Sequence, residues 1–436
     1  MLSYLPAREL LSCRLLCRRF RDLCLHRDLW KNAGVCGRGL MRAALALAPC
    51  LSYLSTDGVP LDVVASFVTG TACVVSRLDL EVTNQADALF AALIVQKLAS
   101  VGGLELLNLE ISHTFPPELT LTPLLQVVYN IHGLRKLDIG NHSDVVLPAA
   151  WCDREVPPSI TDLSYLSSCP EPFLELLLRT HADTLRKVSL FLTEGTPVPS
   201  LARIPGLQYL LCHPHEDLPQ LLEAHELHTL ELQESADDEP FKPGTLDLLR
   251  RVSHLRTVSL CFTFVDPGAP LLALSRSASA QLLRSLELLS VMWLDLGLLA
   301  AALPHFPSLR TLTLDVQPSY DFFRAVSPTS APSLCILTVR PSSKLCPHAW
   351  LHDPAVQDLL QRNSCLHLSF FLVSRDSTIT IPENCRCQYC RWGCHAPLRG
   401  PAIQNIPFSS HSKRSECPGG CFQVAPQVCP NCLHTI

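Results

Sequence analysis

The sequence predicts an α/β repeat solenoid, with a small helical segment ahead of it and a cysteine-rich segment behind it. Three observations predict this. An apolar pattern, L-x-x-L-x-L, recurs along almost the whole chain. The stretches between its copies carry apolar residues at helical spacing, and both features stop near residue 380, where cysteines become dense.

Composition supports a well-buried chain and excludes several function classes. Of 436 residues, 47% are hydrophobic and 17% charged, the balance of a packed protein rather than a disordered one. The 35 basic and 40 acidic residues leave a formal charge of −5, too small to drive binding to nucleic acid or a membrane surface. The most apolar window, Leu294 to Phe306, contains Asp295 and Pro304 and is too short to span a bilayer. With 21 cysteines and no charged-then-apolar leader, the chain is expected in a reducing compartment, cytoplasm or nucleus. The Asn141-His142-Ser143 triplet then has no glycosylation meaning.

The first element is "MLSYLPARELLSCRLLCRRFRDLCLHRDLW". Pro6 suits a helix start, and Leu10, Leu11, Leu15, Leu16, Phe20, Leu23, Leu29 and Trp30 give an apolar face through short helices. Arg14, Arg18, Arg19 and Arg21 take much of the other face. By itself this reads as a helical cap for the open end of a solenoid.

The repeats follow. Their clearest copies are "LRKLDI", "LHTLEL", "LRTVSL", "LRSLEL" and "LRTLTL". Aligned on the first apolar residue, thirteen units start at Leu51, Val75, Leu104, Leu134, Ile160, Leu185, Leu207, Leu227, Leu255, Leu283, Leu309, Leu334 and Cys365, spaced by 20 to 31 residues. In such a unit the fourth and sixth residues point inward from a short strand, and the remainder returns as a helix. "QADALFAALIVQKLAS", "TPLLQVVYNI", "EPFLELLLRTHA", "PGTLDLLRRVS" and "PAVQDLLQRN" fit the returning helices, several beginning at Pro or an N-cap residue. Parallel strands would line the concave side.

This period and pattern resemble leucine-rich repeats, of the divergent, ribonuclease-inhibitor-like horseshoe kind. Such repeats usually carry Asn or Cys at the ninth position, bonded to the turn backbone. Here seven units carry a hydroxyl instead, at Thr83, Ser112, Ser168, Thr193, Ser235, Thr263 and Ser342, so looser turns and irregular repeat lengths are expected.

In that light "SYLP", "ELL", "CRLLCRRFRDL" and "DLW" resemble the latter part of an F-box, in the family's order and spacing. An F-box followed by leucine-rich repeats is similar to the substrate receptors of Skp–cullin–F-box ubiquitin ligases. The resemblance implies that Leu5, Pro6, Leu10, Leu11, Leu16, Phe20 and Trp30 build or support the surface that docks on a Skp adaptor, and through it on cullin and RING subunits. It further implies a non-catalytic subunit whose repeats hold a protein substrate. The family's box usually begins with a further helix upstream of "SYLP"; this sequence does not show it, so a partial box is expected here, and either the full protein has more of the box ahead of Met1 or its adaptor contact is reduced. The expected domains are residues 1–40 for the partial F-box, 45–380 for about 12 to 13 irregular repeats and 381–436 for the cysteine-rich segment. The alternative is a repeat scaffold for protein interactions, uncoupled from a ligase, with a zinc-binding effector tail.

Strand positions three, five and seven face the concave side. In the early units they bring Arg77, Asp79, Glu81, Leu106, Asn108, Glu110, Lys136 and Asp138, and further along Glu231, Glu287 and Asp315. Asp79, Glu81, Asn108, Glu110 and Asp138 are therefore the candidate substrate contacts, suited to a basic surface. The plainer reading is a solvated sheet face.

After "TITIPE", "CRCQYCRWGCH", "CPGGC" and "CPNC" bring Cys385, Cys387, Cys390, Cys394, Cys417, Cys421, Cys429 and Cys432, eight of the 21 cysteines in the last 52 residues. Close thiolate pairs on tight turns suit zinc, and eight ligands would fill two four-thiolate sites, with His395, His411 or His434 as substitutes. An unmetallated cysteine-rich tail is the alternative. The order does not match a RING, so no ligase chemistry of its own is expected. No phosphate-binding loop, dinucleotide motif, G-x-S-x-G or H-E-x-x-H is present, and no residue is assigned a catalytic role. Two smaller clusters, Cys212, His213, His215 and Glu216, and Cys346, His348, His352 and Asp353, read as incidental connecting residues.

Overall fold

The structure, a computed structural model, describes residues 5–112, 121–143, 145–149, 156–168, 171–192, 196–233, 241–262, 267–289, 294–339, 353–363 and 365–370, with two-residue strands at 408–409, 428–429 and 434–435. The chain divides into two compact units, Met1–His213 and Pro214–Ile436.

The first unit opens with three short helices, α1 (Ala7–Cys13), α2 (Arg18–Leu23) and α3 (Arg27–Trp30). Parallel strands follow: β1 (Gly34–Cys36), β2 (Cys50–Ser55), β3 (Val74–Val82), β4 (Leu106–Ile111), β5 (Lys136–Asn141), β6 (Asp162–Ser167), β7 (Lys187–Leu192) and β8 (Tyr209–Cys212). Each pairs in parallel with the one before it. Between them return α4 (Arg38–Leu47), α5 (Leu61–Val68), α6 (Gln85–Val101), α7 (Thr122–Tyr129), α8 (Pro172–Thr180) and α9 (Val198–Leu201).

The second unit repeats the plan. Its strands are β9 (Thr229–Gln233), β10 (Thr257–Cys261), β11 (Ser285–Leu289), β12 (Thr311–Leu314), β13 (Ile336–Val339) and β14 (His367–Phe370), all parallel. The intervening helices include α10 (Pro243–Arg251), α11 (Gly268–Ser275), α12 (Leu296–Ala302), α13 (Tyr320–Ala325) and α14 (Pro354–Arg362). Both units are α/β leucine-rich-repeat solenoids. The thirteen expected starts fall one to each of β2 to β14.

The fold follows from where the apolar side chains go. Fourth- and sixth-position residues such as Leu78, Leu80, Leu107, Leu109, Leu230, Leu232, Leu286 and Leu288 are buried on the helix side of the sheet. Each such leucine contributes about 2 kcal/mol relative to exposure. α8 shows the helical half of the bargain, burying Phe173, Leu174, Leu176, Leu177 and Leu178 from its nine residues. α6 is held at both ends. Asn84 Oδ1 accepts from Asp87 N at 3.0 Å, and Thr83 Oγ1 donates to Asp87 Oδ2 at 2.6 Å. It ends at Gly102 and Gly103, whose φ values of +89° and +85° suit glycine alone.

Two details differ from expectation. Cys365, the last unit's first position, is exposed, and the neighbouring Leu366 takes its buried place. The turn ladder also shifts. Of the ninth-position hydroxyls, Thr83, Ser112 and Ser168 are described, while Thr193, Ser235, Thr263 and Ser342 lie outside the described residues. The amide that serves a turn is instead Asn141, at the eighth position and buried. Its Nδ2 donates to Val145 O and to Glu171 Oε1, both at 2.7 Å, and its Oδ1 accepts from Ser143 Oγ at 2.7 Å. Tyr165 OH also donates to the Glu171 carboxylate, and Ser167 Oγ does so at 2.9 Å. Burial raises the Glu171 carboxyl above its ordinary value, and these donors draw it partly back. Nearby, buried His181 accepts from Ser159 N through Nδ1 at 3.2 Å, and burial pushes its pKa down to about 4.

Candidate functional site

The amino-terminal helices separate supporting residues from available ones. Leu10 of α1 and Trp30 of α3 are fully buried. Trp30 Nε1 donates to Cys24 O at 2.6 Å, tying α3 to the end of α2. These two side chains hold the helices together. Leu5 and Leu11 are partly covered and Pro6 is exposed at the N-terminal end of α1. The outward apolar surface is Leu16 at 70% exposure and Phe20 at 37%, joined by Leu15 at 86% and Leu23 at 45%. Leu15 and Leu23 belonged to the apolar face read from sequence, but nothing in a short apolar run distinguishes its outward members from its inward ones. All four fall within residues 15–23, on one turn and on α2.

The sheet face turned away from the helices carries the candidate substrate contacts. Strand register places Ser55, Asp79, Asn108, Asp138, Ser164 and Ser189 in one row, flanked by Arg77, Leu106, Lys136, Asp162 and Lys187. Asp79, Asn108, Glu110 and Asp138 are half-buried there and Glu81 is exposed. The row largely neutralises itself. Arg77 meets Asp79 through two bonds of 3.0 and 3.1 Å and lies 5.0 Å from the Tyr53 ring. Lys136 meets Asp138 at 3.0 Å, and Lys187 lies 3.7 Å from Asp162. Glu110 crosses Gly140, where any β-carbon would collide with it, and reaches His142 Nε2 at 3.0 Å. Asp138 keeps one carboxylate oxygen, Oδ1, buried and unbonded, and burial raises its carboxyl above the usual range.

The second unit's face is built differently. One row runs Glu231, Ser259, Glu287, Thr313, Thr338, Ser369, beside another of Thr229, Thr257, Ser285, Thr311. β9 to β14 carry no Lys or Arg. Burial, and next the charge of Glu231, raise the Glu287 carboxyl, while a hydrogen bond from Ser259 lowers it.

The remaining candidates resolve by location. His215 and Glu216 have structural partners: His215 N donates to buried Thr245 Oγ1 at 3.0 Å, and Gly244 N donates to Glu216 Oε2 at 3.0 Å, seating the start of α10. Cys212 is buried, its thiol pushed up to about 12. Asp353 caps α14, accepting from Ala355 N at 2.9 Å, while Cys346, His348 and His352 lie outside the described residues. So do Cys385, Cys387, Cys390, Cys394, Cys417, Cys421 and Cys432; Cys429 falls in the two-residue strand Val428–Cys429. Among the described residues no group of three or more His, Cys, Asp or Glu is placed to hold a metal ion. No helix among them is long and apolar enough to cross a membrane.

Each unit is thus a leucine-rich-repeat-like stack of parallel strands and returning helices, and three short helices stand at the amino end of the first. Residues 2–34, which contain those helices, match the family described as F-box-like. The chain therefore carries an F-box-like segment followed by leucine-rich repeats. Among solved structures it is similar to a chain of the yeast Rad7 and Elc1 complex, at 15% identity over 77% of this chain and 81% of that one, with a TM-score of 0.40. No curated protein matches it.

Proposed function

We propose that the protein is the substrate-recognition subunit of an SCF-type E3 ubiquitin ligase. It docks on a Skp adaptor, and through it on cullin and RING subunits, and it performs no catalysis itself. The observation that carries this reading is the F-box-like segment at residues 2–34, with its exposed Leu15, Leu16, Phe20 and Leu23. Leu5, Pro6 and Leu11 extend that surface, and Leu10 and Trp30 hold it in shape. The substrate is a protein bound on the sheet face, where Asp79, Glu81, Asn108, Glu110 and Asp138 supply polar contacts. The cysteine-rich segment holds zinc through Cys385, Cys387, Cys390, Cys394, Cys417, Cys421, Cys429 and Cys432; metal analysis of protein purified without chelator is expected to return zinc, and metal-free protein would refute that part.

Co-expression of the full chain with a Skp adaptor tests the main reading. A stable complex is expected, and Leu15→Ser with Leu16→Ser should weaken it at least about tenfold, since buried apolar anchors dominate such interfaces. Absence of any complex with the adaptor would overturn the assignment.

A further inference from the structure

α2 is an anomaly among the described helices: none of its own six residues is buried. A helix needs about a dozen residues to persist in water on its own, and shorter ones are held by packing. Its charges compound the problem. Arg18 and Arg19 occupy its first two positions, no acidic residue stands in the first turn, and Cys17 provides no side-chain cap.

Arg8, Arg14, Arg18, Arg19, Arg21 and Arg27 have no ion-pair partner among the described residues, while Asp28 is shared by His26 at 3.5 Å and Lys31 at 3.7 Å. Arg14 Nε is buried without a hydrogen-bond partner. Residues 5–34 hold seven Lys or Arg against three Asp or Glu, a local excess of four positive charges in a chain whose formal total is −5. At the centre stand Leu15, Leu16, Phe20 and Leu23.

We propose that this surface docks a protein partner presenting an apolar groove rimmed by carboxylates. Leu15, Leu16, Phe20 and Leu23 fill the groove; Arg18, Arg19 and Arg21 pair with the rim. The partner's identity as the ligase adaptor rests on the reading above; its chemistry rests on the charges and exposed side chains. The partner's anions pair with the exposed Arg18, Arg19 and Arg21, and its groove supplies the packing that α2 lacks. A protein groove fits better than an anionic membrane because the exposed apolar residues come from a turn and one six-residue helix rather than from a continuous stripe along a long amphipathic helix. Encounter is steered by charge and weakens with salt, while the apolar side chains set residence time.

The test uses the full chain with three probes: a purified Skp adaptor; a leucine/glutamate amphipathic peptide beside its leucine/glutamine counterpart; and phosphatidylserine vesicles. Arg18→Glu/Arg19→Glu/Arg21→Glu should slow adaptor association roughly 10- to 100-fold at low salt and flatten its salt dependence, with the corresponding Gln triple variant falling between. If adaptor binding keeps its on-rate and salt dependence in both triple variants, the proposal is overturned and the adaptor assignment stands. If the adaptor does not bind the unaltered chain, the peptides decide. At least tenfold preference for the glutamate peptide, lost in the Arg→Glu variant, upholds the proposal and overturns the adaptor assignment. Equal binding of both peptides, binding of neither, or capture by vesicles alone overturns the proposal.

Discussion

The two units share one backbone plan and treat its open sheet face in opposite ways. In the first, carboxylates come with their own partners: Asp79 with Arg77, Asp138 with Lys136 and Asp162 with Lys187 as ion pairs, and Glu110 with the His142 imidazole by a hydrogen bond. In the second, Glu231 and Glu287 flank Ser259 in a field of hydroxyls, with no Lys or Arg on the strands. The inward leucines are interchangeable between units because burial asks only for volume and apolarity. The outward residues bear no such constraint, so one scaffold supports a self-neutralised face and an uncompensated one.

The strongest way to break this comparison is to attack the first unit's internal pairing where it is buried. Glu171→Ala leaves Tyr165, Asn141 and Ser167 without their shared acceptor and should cost about 3 kcal/mol, read as lost hydrogen-exchange protection in β5 and β6. Glu171→Gln, which keeps an acceptor oxygen, should cost about 1 kcal/mol. A comparable effect is spread over pH at His181. Its pKa falls from 6.5 to about 4 on folding, so between those values the unfolded chain binds the extra proton and stability drops as pH falls. The full loss is on the order of 3 kcal/mol, and His181→Gln should flatten that limb of a pH–stability curve. The smallest test is also the sharpest, because it predicts opposite signs. Asp79→Asn removes a paired charge and should lower stability by about 0.5 kcal/mol, whereas Glu287→Gln removes a repelling one and should raise it by a similar amount. Denaturant midpoints with equal signs would erase the distinction between the faces.

Much of this architecture was legible in the residues. The L-x-x-L-x-L copies fall on β2 to β14 because burial every second residue leaves an unmistakable trace in composition. β1 escaped because "GVC" is too short to carry that trace. Asn141 escaped because the family's turn amide belongs at position nine, and here the burial pattern extends inward to position eight. The self-pairing of Asp79 and Asp138 was written two residues upstream, at Arg77 and Lys136, since side chains two apart on a strand share a face. The F-box segment was recognisable from its motifs, yet the split between buried Leu10 and Trp30 and exposed Leu15 and Leu16 depends on how three short helices meet. Helical periodicity cannot show that.

Every strand from β2 to β8 finds its partner in the strand made just before it, and so does every strand from β10 to β14. Parallel sheets usually fold slowly because distant segments must meet before any contact rewards them. Here only the first strand of each unit waits on a later one, so each unit can assemble at the pace of synthesis, every further strand being templated by the one the ribosome has already released.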